Sequence, residues 1–384
     1  MLRVLVTGGR APVALHLVRL MAGAGHHVLM ADSLPCPMAE ASRMHQGFHR
    51  LPSPRFQPEG FGAALGALIR REEVALVLPT CEEVFYLAQF WQQDRPPARL
   101  FAPPLPLLAE VHDKHRFIEL CAGLGLAVPP TRLVTSPADL AALRPVAGDL
   151  VFKPVWSRFA SQVLIRPEAK ALDRITPTKA APWVAQDYLA GQEICAYAVA
   201  VDGKLVALSA YRGLYRAGKG AAVAFAPLRD DAVRDFVTRF IEGTGWTGQI
   251  SFDLMRMPDG RVLPLECNPR ATSGLHFFRS PGVFSAALLK GAEVMPDVTR
   301  PQGVRLALWL YGLPAAIRAG QIGPFRRALR QVQEVLDWPD DPGPKQAQWA
   351  ALRGIAARAL RERISLQQAS TRDIEWNGPD QSSI

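Results

Sequence analysis

Apolar and polar positions recur along this chain with two different periods, and the places where one gives way to the other mark its elements. The run LRVLVT (2–7) predicts a buried strand, Gly8-Gly9 a turn, and the positions from about Pro12 to Ala24 a helix. HHVLMAD then predicts a second strand ending at Asp32, which completes a β-α-β opening. A later strand, VALVLP, leads into the helix TCEEVFYLAQF, where Thr80 and Glu83 read as a capping box. Glu82 and Glu83 also lie at the carboxyl end of that strand, where open α/β sheets bind ligands. The proline-rich FAPPLPLLAE (101–110) predicts a domain boundary.

Next, HDKHRFIELCAGLGLAVPPT predicts a helix with Phe117, Leu120, Cys121 and Leu124 on one face. A short helical segment near SPADLAAL precedes GDLVFKPVWSRFASQVLIR, which reads as two strands around a polar loop. Further strands follow, with a hairpin turn at Asp202-Gly203, and a helix is predicted over roughly 230–243. Beyond about residue 300 the chain reads as mostly helical, with Trp349, Leu352, Ala356, Leu360 and Ile364 as an apolar stripe.

The most informative pattern is the hairpin QISFDLMRMPDG–RVLPLECNPR. Alternation puts Glu266, Asn268 and Arg270 on one face of the second strand, and Leu265 and Cys267 on the other. With Asp259-Gly260 as a two-residue loop, Asp253 stands opposite Glu266, Ser251 opposite Asn268 and Gln249 opposite Arg270. A three-residue loop including Pro258 shifts that register by one. Like charges in direct opposition are destabilising. Two carboxylates and an amide oxygen form an all-oxygen set, which suits a hard cation such as magnesium; acids that splay into water are the plainer alternative.

Composition excludes more than it selects. At 384 residues the chain is long enough for several domains, and its make-up is that of an ordinary globular protein. Its net charge of +9 favours anionic ligands, with much of the excess in the late helices. No aromatic–basic RNA-binding motif or zinc finger accompanies it, so no nucleic-acid partner is expected. The five cysteines are scattered, with no C-x-x-C pair, and read as free thiols in a reducing compartment. With no signal-peptide pattern and no run long enough to span a bilayer, a cytoplasmic location is expected. The opening β-α-β invites a dinucleotide reading, with Asp32 as the ribose-binding acid, but G-x-G-x-x-G is missing. Gly213–Lys219 fits G-x-x-x-x-G-K, yet Gly220 stands where a P-loop needs Ser or Thr, and GAAVAFAP looks extended. A mobile loop bringing Arg212, Arg216 and Lys219 toward an acidic substrate fits better, with a plain solvated turn as the alternative.

Lys114 before a helix, Lys153 ending a strand, Gln186-Asp187-Tyr188-Leu189, Glu193, and then DLMRMPDGRVLPLECNPR occur in this order. The series resembles the ATP-grasp superfamily, which includes D-alanine–D-alanine ligase, biotin carboxylase and the carbamoyl-phosphate synthase large subunit. The likeness covers roughly residues 1–290. It implies an α/β chain: a Rossmann-like domain (1–108), an ATP-grasp fold of two α+β subdomains (109–187 and 188–300), and a helical extension (301–384).

By resemblance, Lys114 and Lys153 hold ATP phosphates, residues 186–189 present groups to adenine, and Glu193 takes the ribose hydroxyls. Asp253, Glu266 and Asn268 match the ligands of magnesium, with two ions expected and manganese able to substitute. Arg270 matches an arginine that faces the substrate carboxylate and the moving phosphoryl group. The loop VWSRFASQ departs from relatives in lacking glycine, leaving Ser157, Ser161 and backbone amides to reach phosphate, with Phe159 adding bulk. Gln186 stands where many relatives carry an acid.

The implied function is an ATP- and magnesium-dependent ligase that activates a small carboxylate as an acyl phosphate for attack by an amine. The C-terminal helices would cover the site or form a homodimer interface. Bicarbonate activation of the carboxylase or carbamoyl-phosphate type, and a non-catalytic nucleotide-binding regulatory module, stand as rival readings.

Overall fold

The fold is seen in a computed structural model that describes residues 1–158, 162–216, 222–318 and 320–378. Three sheets follow one another along the chain. The first contains β1 (Arg3–Thr7), β2 (His27–Asp32), β3 (Gly47–Arg50), β4 (Leu76–Leu78) and β5 (Arg99–Leu100). They are parallel, in the order β3-β2-β1-β4-β5. Helices Pro12–Gly23, Pro58–Arg71 and Glu83–Asp94 connect the strands. Val4, Leu5 and Val6 are fully buried, as expected where both faces of a parallel sheet are covered.

One expectation needs correction in this region. Glu83 does reach back to the Thr80 amide, but the Thr80 hydroxyl donates to the Thr7 carbonyl instead of capping the helix. Only half of the box forms, because Thr80 lies just past β4, beside the end of β1, and finds a backbone acceptor there. Asp32 is bound by the backbone and guanidinium of Arg10, which also reaches Asp373. The cavity beside them is about 10 Å3, which leaves room for little more than a water.

The second sheet is antiparallel, with β6 (Thr131–Val134), β7 (Leu150–Pro154), β8 (Leu164–Ile165) and β9 (Trp183–Asp187) in the order β6-β9-β7-β8. The third contains β10 (Gln192–Val201), β11 (Lys204–Arg216), β12 (Ala222–Leu228), β13 (Gly248–Arg256), β14 (Val262–Asn268), β15 (Gln302–Gly303) and β16 (Gln333–Glu334). Their order is β14-β13-β10-β11-β12-β15-β16. Asp202 and Gly203 both take positive φ at the β10–β11 turn, the conformation a tight two-residue hairpin requires.

Two helices back the third sheet behind the site. Asp230 caps helix Asp231–Thr244 through the amides of Ala232 and Val233, and Gly245 closes it in the left-handed region. Its face of Val233, Phe236, Val237, Phe240 and Ile241 is buried, each side chain contributing about 1.5–3 kcal/mol by leaving water. Phe240 lies 5.0 Å from Phe252 on β13 and 5.9 Å from Phe117 on helix Lys114–Gly123. The predicted face of that second helix is confirmed: Phe117 and Cys121 are buried, and Leu120 and Leu124 pack against the same cluster.

Past residue 300 the chain is less purely helical than expected, because β15 and β16 extend the third sheet. The expected stripe on helix Gln348–Glu362 is not its packed face, since Trp349 is 59% exposed and Leu360 82%. Ala359 is the buried residue there. Among the described residues no helix is long and apolar enough to cross a membrane.

Candidate functional site

The hairpin of β13 and β14 does place Asp253 opposite Glu266 and Ser251 opposite Asn268, but by an unexpected route. The Met257 amide bonds the Arg261 carbonyl, so the loop is the three residues Pro258, Asp259 and Gly260. Gly260 adopts φ of 92° there, the left-handed conformation such a loop needs. Pairs next to the loop are accordingly offset by one, as with Arg256 opposite Val262. A bulge at Leu265 takes up the offset before the acids are reached. Leu265 is therefore half-buried while Cys267 is buried, and the two do not share one face as alternation suggested. Pairing ends at Asn268, so Gln249 does not oppose Arg270; it bonds Tyr197 and the Pro79 carbonyl instead.

Both lysines converge on this hairpin. Asp113 caps the helix that begins at Lys114, which aims the Lys114 ammonium at Glu266, 3.6 Å away. The same ammonium donates to the carbonyls of Ser157 (2.9 Å) and Val155 (3.4 Å), holding the loop after β7. Lys153 donates to the carbonyl of the bulged Leu265 at 2.8 Å and to Gln186 Oε1 at 3.1 Å. Burial lowers Lys153 to about 8, with Glu266 working in the opposite direction.

The two acids have different surroundings. Burial pushes Asp253 up to about 7, with the Glu266 charge adding to the effect. The hydrogen bonds Asp253 accepts come from neutral donors, Cys195 Sγ at 3.0 Å and Asn268 Nδ2 at 3.3 Å. Burial also acts to raise Glu266, but the Lys114 and Lys153 charges outweigh it and hold Glu266 below the usual carboxylate range. A divalent cation fits this arrangement. The donors are oxygen-rich, and a recessed carboxylate bonded only by neutral donors is stabilised in its ionised form by added positive charge. Asn268 turns its carbonyl toward Arg270 Nη2, at 3.1 Å.

Other expected residues are placed with more qualification. The Gln186 amide is engaged by Lys153 and by the Thr131 hydroxyl, which makes it a support for Lys153. The backbone amides of Asp187 and Tyr188 donate to Pro130 and Asp149. The Tyr188 ring is exposed under Arg166, and Leu189 follows in the link to β10. The Ser157 hydroxyl donates to the Pro154 carbonyl. Arg216 corrects the mobile-loop expectation: it is the last residue of β11 and pairs with Glu193 at 2.5 Å. Arg212 is on the same strand. Ser161, Phe159 and Lys219 lie outside the described residues.

Two groupings escaped the sequence reading. Glu193 and Cys195 alternate onto one face of β10, and with Asp253 they bring three ligand atoms within 4.8 Å of one another. Period-two spacing in QEIC was the available signal. The second is Arg158, which bonds Glu82, the Trp376 carbonyl and Asn377. Trp376 itself stacks on Phe85 at 4.5 Å. Glu82, expected as a substrate contact, thus anchors the loop after β7. No local pattern announces contacts between residues so far apart in sequence.

No protein-family model matches this chain, and no curated protein matches it by sequence. Solved structures do resemble it. Phosphoribosylamine–glycine ligase from Thermotoga maritima superposes with a TM-score of 0.61 at 15% identity, over 78% of each chain. N5-carboxyaminoimidazole synthetase from Staphylococcus aureus gives 0.62 at 15% identity, over 83% of this chain and 86% of that one. An L-amino acid ligase from Bacillus licheniformis gives 0.58 at 15% identity, over 75% and 74%. These likenesses show the fold.

Proposed function

We propose that this chain, whose fold is that of the ATP-grasp superfamily, is an ADP-forming ligase that joins a carboxylate to an amine. The observation that carries the reading is the convergence of Lys114 and Lys153 on a hairpin where Asp253 and Glu266 stand opposed. Boundaries near residues 108, 187 and 300 divide the chain in this reading. Tyr188 and Leu189 flank the adenine, Glu193 meets the ribose, and the lysines meet the phosphates. Asp253 and Glu266 would hold magnesium, with Asn268 adding its oxygen once its carbonyl turns from Arg270, and the ion's chemistry is to neutralise charge on the terminal phosphates.

The chain's own groups account for the rest. Both reactants are anions, so the barrier lies in bringing them together and in the charge spread over the moving phosphoryl oxygens. Lys114 and Lys153 supply fixed positive charge there, and the loop carbonyls and Gln186 keep both ammonium groups aimed. Arg270, bonded to the Asn268 carbonyl, presents a planar fork that orients a carboxylate in line with the terminal phosphorus. A carboxylate oxygen bonds to that phosphorus while the bond to the ADP oxygen breaks. The amine nitrogen then bonds to the carboxyl carbon, phosphate leaves with the C–O bonding pair, and the amine proton passes to solvent.

The test is ADP release across a panel of carboxylates crossed with amines, for wild type and Glu266→Gln. Release that requires one acid and one amine, and is lost in the variant, supports the reading. Equal release by the variant sinks the metal assignment. Release driven by bicarbonate without an amine replaces ligation with carboxylate activation of the other kind, and tight ATP binding without turnover on any pair leaves a regulatory module.

A further inference from the structure

From Val298 to Gln333 the chain carries six arginines and no Asp, Glu or Lys. In three dimensions this stretch is a helical pair packed on the flank of β11 and β12. The continuous helical run 305–318 turns its Leu308 and Ala316 inward. There they meet Ala224 of β12, Val332, and Phe325 from helix Ile322–Gln331. The residues turned to solvent are apolar as well, although the Trp309 ring also meets Phe325 edge-on at 5.6 Å. Trp309, Leu310, Tyr311, Ile317 and Ile322 are each 43–57% exposed. All six arginines, at 300, 305, 318, 326, 327 and 330, are exposed too, and among the described residues none of them forms an ion pair.

We propose that this face is a docking surface for an anionic lipid bilayer, which the helical pair joins peripherally. Trp and Tyr side chains favour the level of the headgroups, while Leu310, Ile317 and Ile322 suit the upper acyl region. Guanidinium groups pair with lipid phosphates through parallel hydrogen bonds, and the unbroken positive sign matches the negative surface potential of such a leaflet. The charge pattern also argues against the two other occupants of an apolar face. A two-fold contact between copies of this chain would set the arginines against themselves, and like charges in an interface are costly. A nucleic-acid strand would use the arginines and the two aromatic rings, but would gain nothing from three exposed aliphatic side chains. The surface flanks the strand that ends in Arg216, beside Glu193, so docking brings the cleft near the lipid.

The experiment is co-sedimentation of the full chain with vesicles of phosphatidylcholine alone or mixed with phosphatidylglycerol. The proposal expects binding only to the anionic vesicles, weakened by salt. It expects a loss of about tenfold or more in Arg326→Glu/Arg327→Glu and a separate loss in Trp309→Ser/Leu310→Ser. A variant counts only if its melting temperature matches wild type. Equal binding to both vesicle types, or none to either, overturns the proposal. So does a wild-type dimer in light scattering that Leu310→Asp converts to monomer, or tight binding of a single-stranded oligonucleotide lost in the arginine variant. ADP release in solution does not enter the readout, so the outcome is independent of the ligase reading.

Discussion

The two opposed acids of the β13–β14 hairpin are built on opposite electrostatic plans. On the Glu266 side, Lys114 arrives from the start of a helix and Lys153 from β7, both held by carbonyls and one also by an amide, so the acid is compensated within the protein. On the Asp253 side, the bonded partners are a thiol and an amide, and the acid is held toward its neutral form. One strand pair thus presents a carboxylate paired with cations facing one that is hydrogen-bonded without a cation. The difference teaches where added positive charge has most effect: between the two acids and toward β10.

Removing the compensated acid should break this comparison most severely. Glu266→Gln is expected to lower kcat by about a hundredfold or more, because it removes a carboxylate that would hold the cation neutralising charge in the transition state. Steady-state ADP release measures it, and a fall of only a few-fold would mean the lysines act without Glu266. Arg270→Ala comes next, with a loss of kcat on the order of a hundredfold and ATP affinity unchanged in a direct binding titration. An equal loss in both quantities would place Arg270 on the nucleotide.

Lys153 sharpens the comparison through pH. Its ammonium is charged below about 8 and neutral above, so kcat/KM for ATP should fall as pH rises through that value. Lys153→Arg, which does not deprotonate in this range, should remove that basic limb. An unchanged limb would assign it to another group. The smallest effect belongs to the neutral side. Cys195→Ser keeps a donor to Asp253 and should change magnesium affinity, read as a thermal shift, by less than about threefold. A large change would show that the thiol does more than donate.

How much of this was legible depended on range. The opposed acids could be read because alternation and an Asp-Gly turn are local, and their register holds. The three-residue loop stood as the second of two readings, while the bulge that offsets it was hidden, although Pro264 in the edge strand β14 was an available sign of irregular pairing. The helix carrying Phe117 was legible from its caps and spacing. On helix Gln348–Glu362 the same spacing chose the wrong face, because periodicity identifies a stripe without saying what covers it. The grip of Arg158 on Glu82 and on residues 376–377 joins segments hundreds of positions apart, and only the folded chain brings them together.

The bulge at Leu265 has a consequence for how this position tolerates change. What the site takes from it is a backbone oxygen, delivered to Lys153 by a residue that has no partner across the strand. Its half-buried side chain can be exchanged for others of similar bulk at little cost. Excising the residue would leave Asp253 and Glu266 face to face but take away the oxygen that steadies the lysine. Position 265 is thus indifferent to identity and intolerant of deletion.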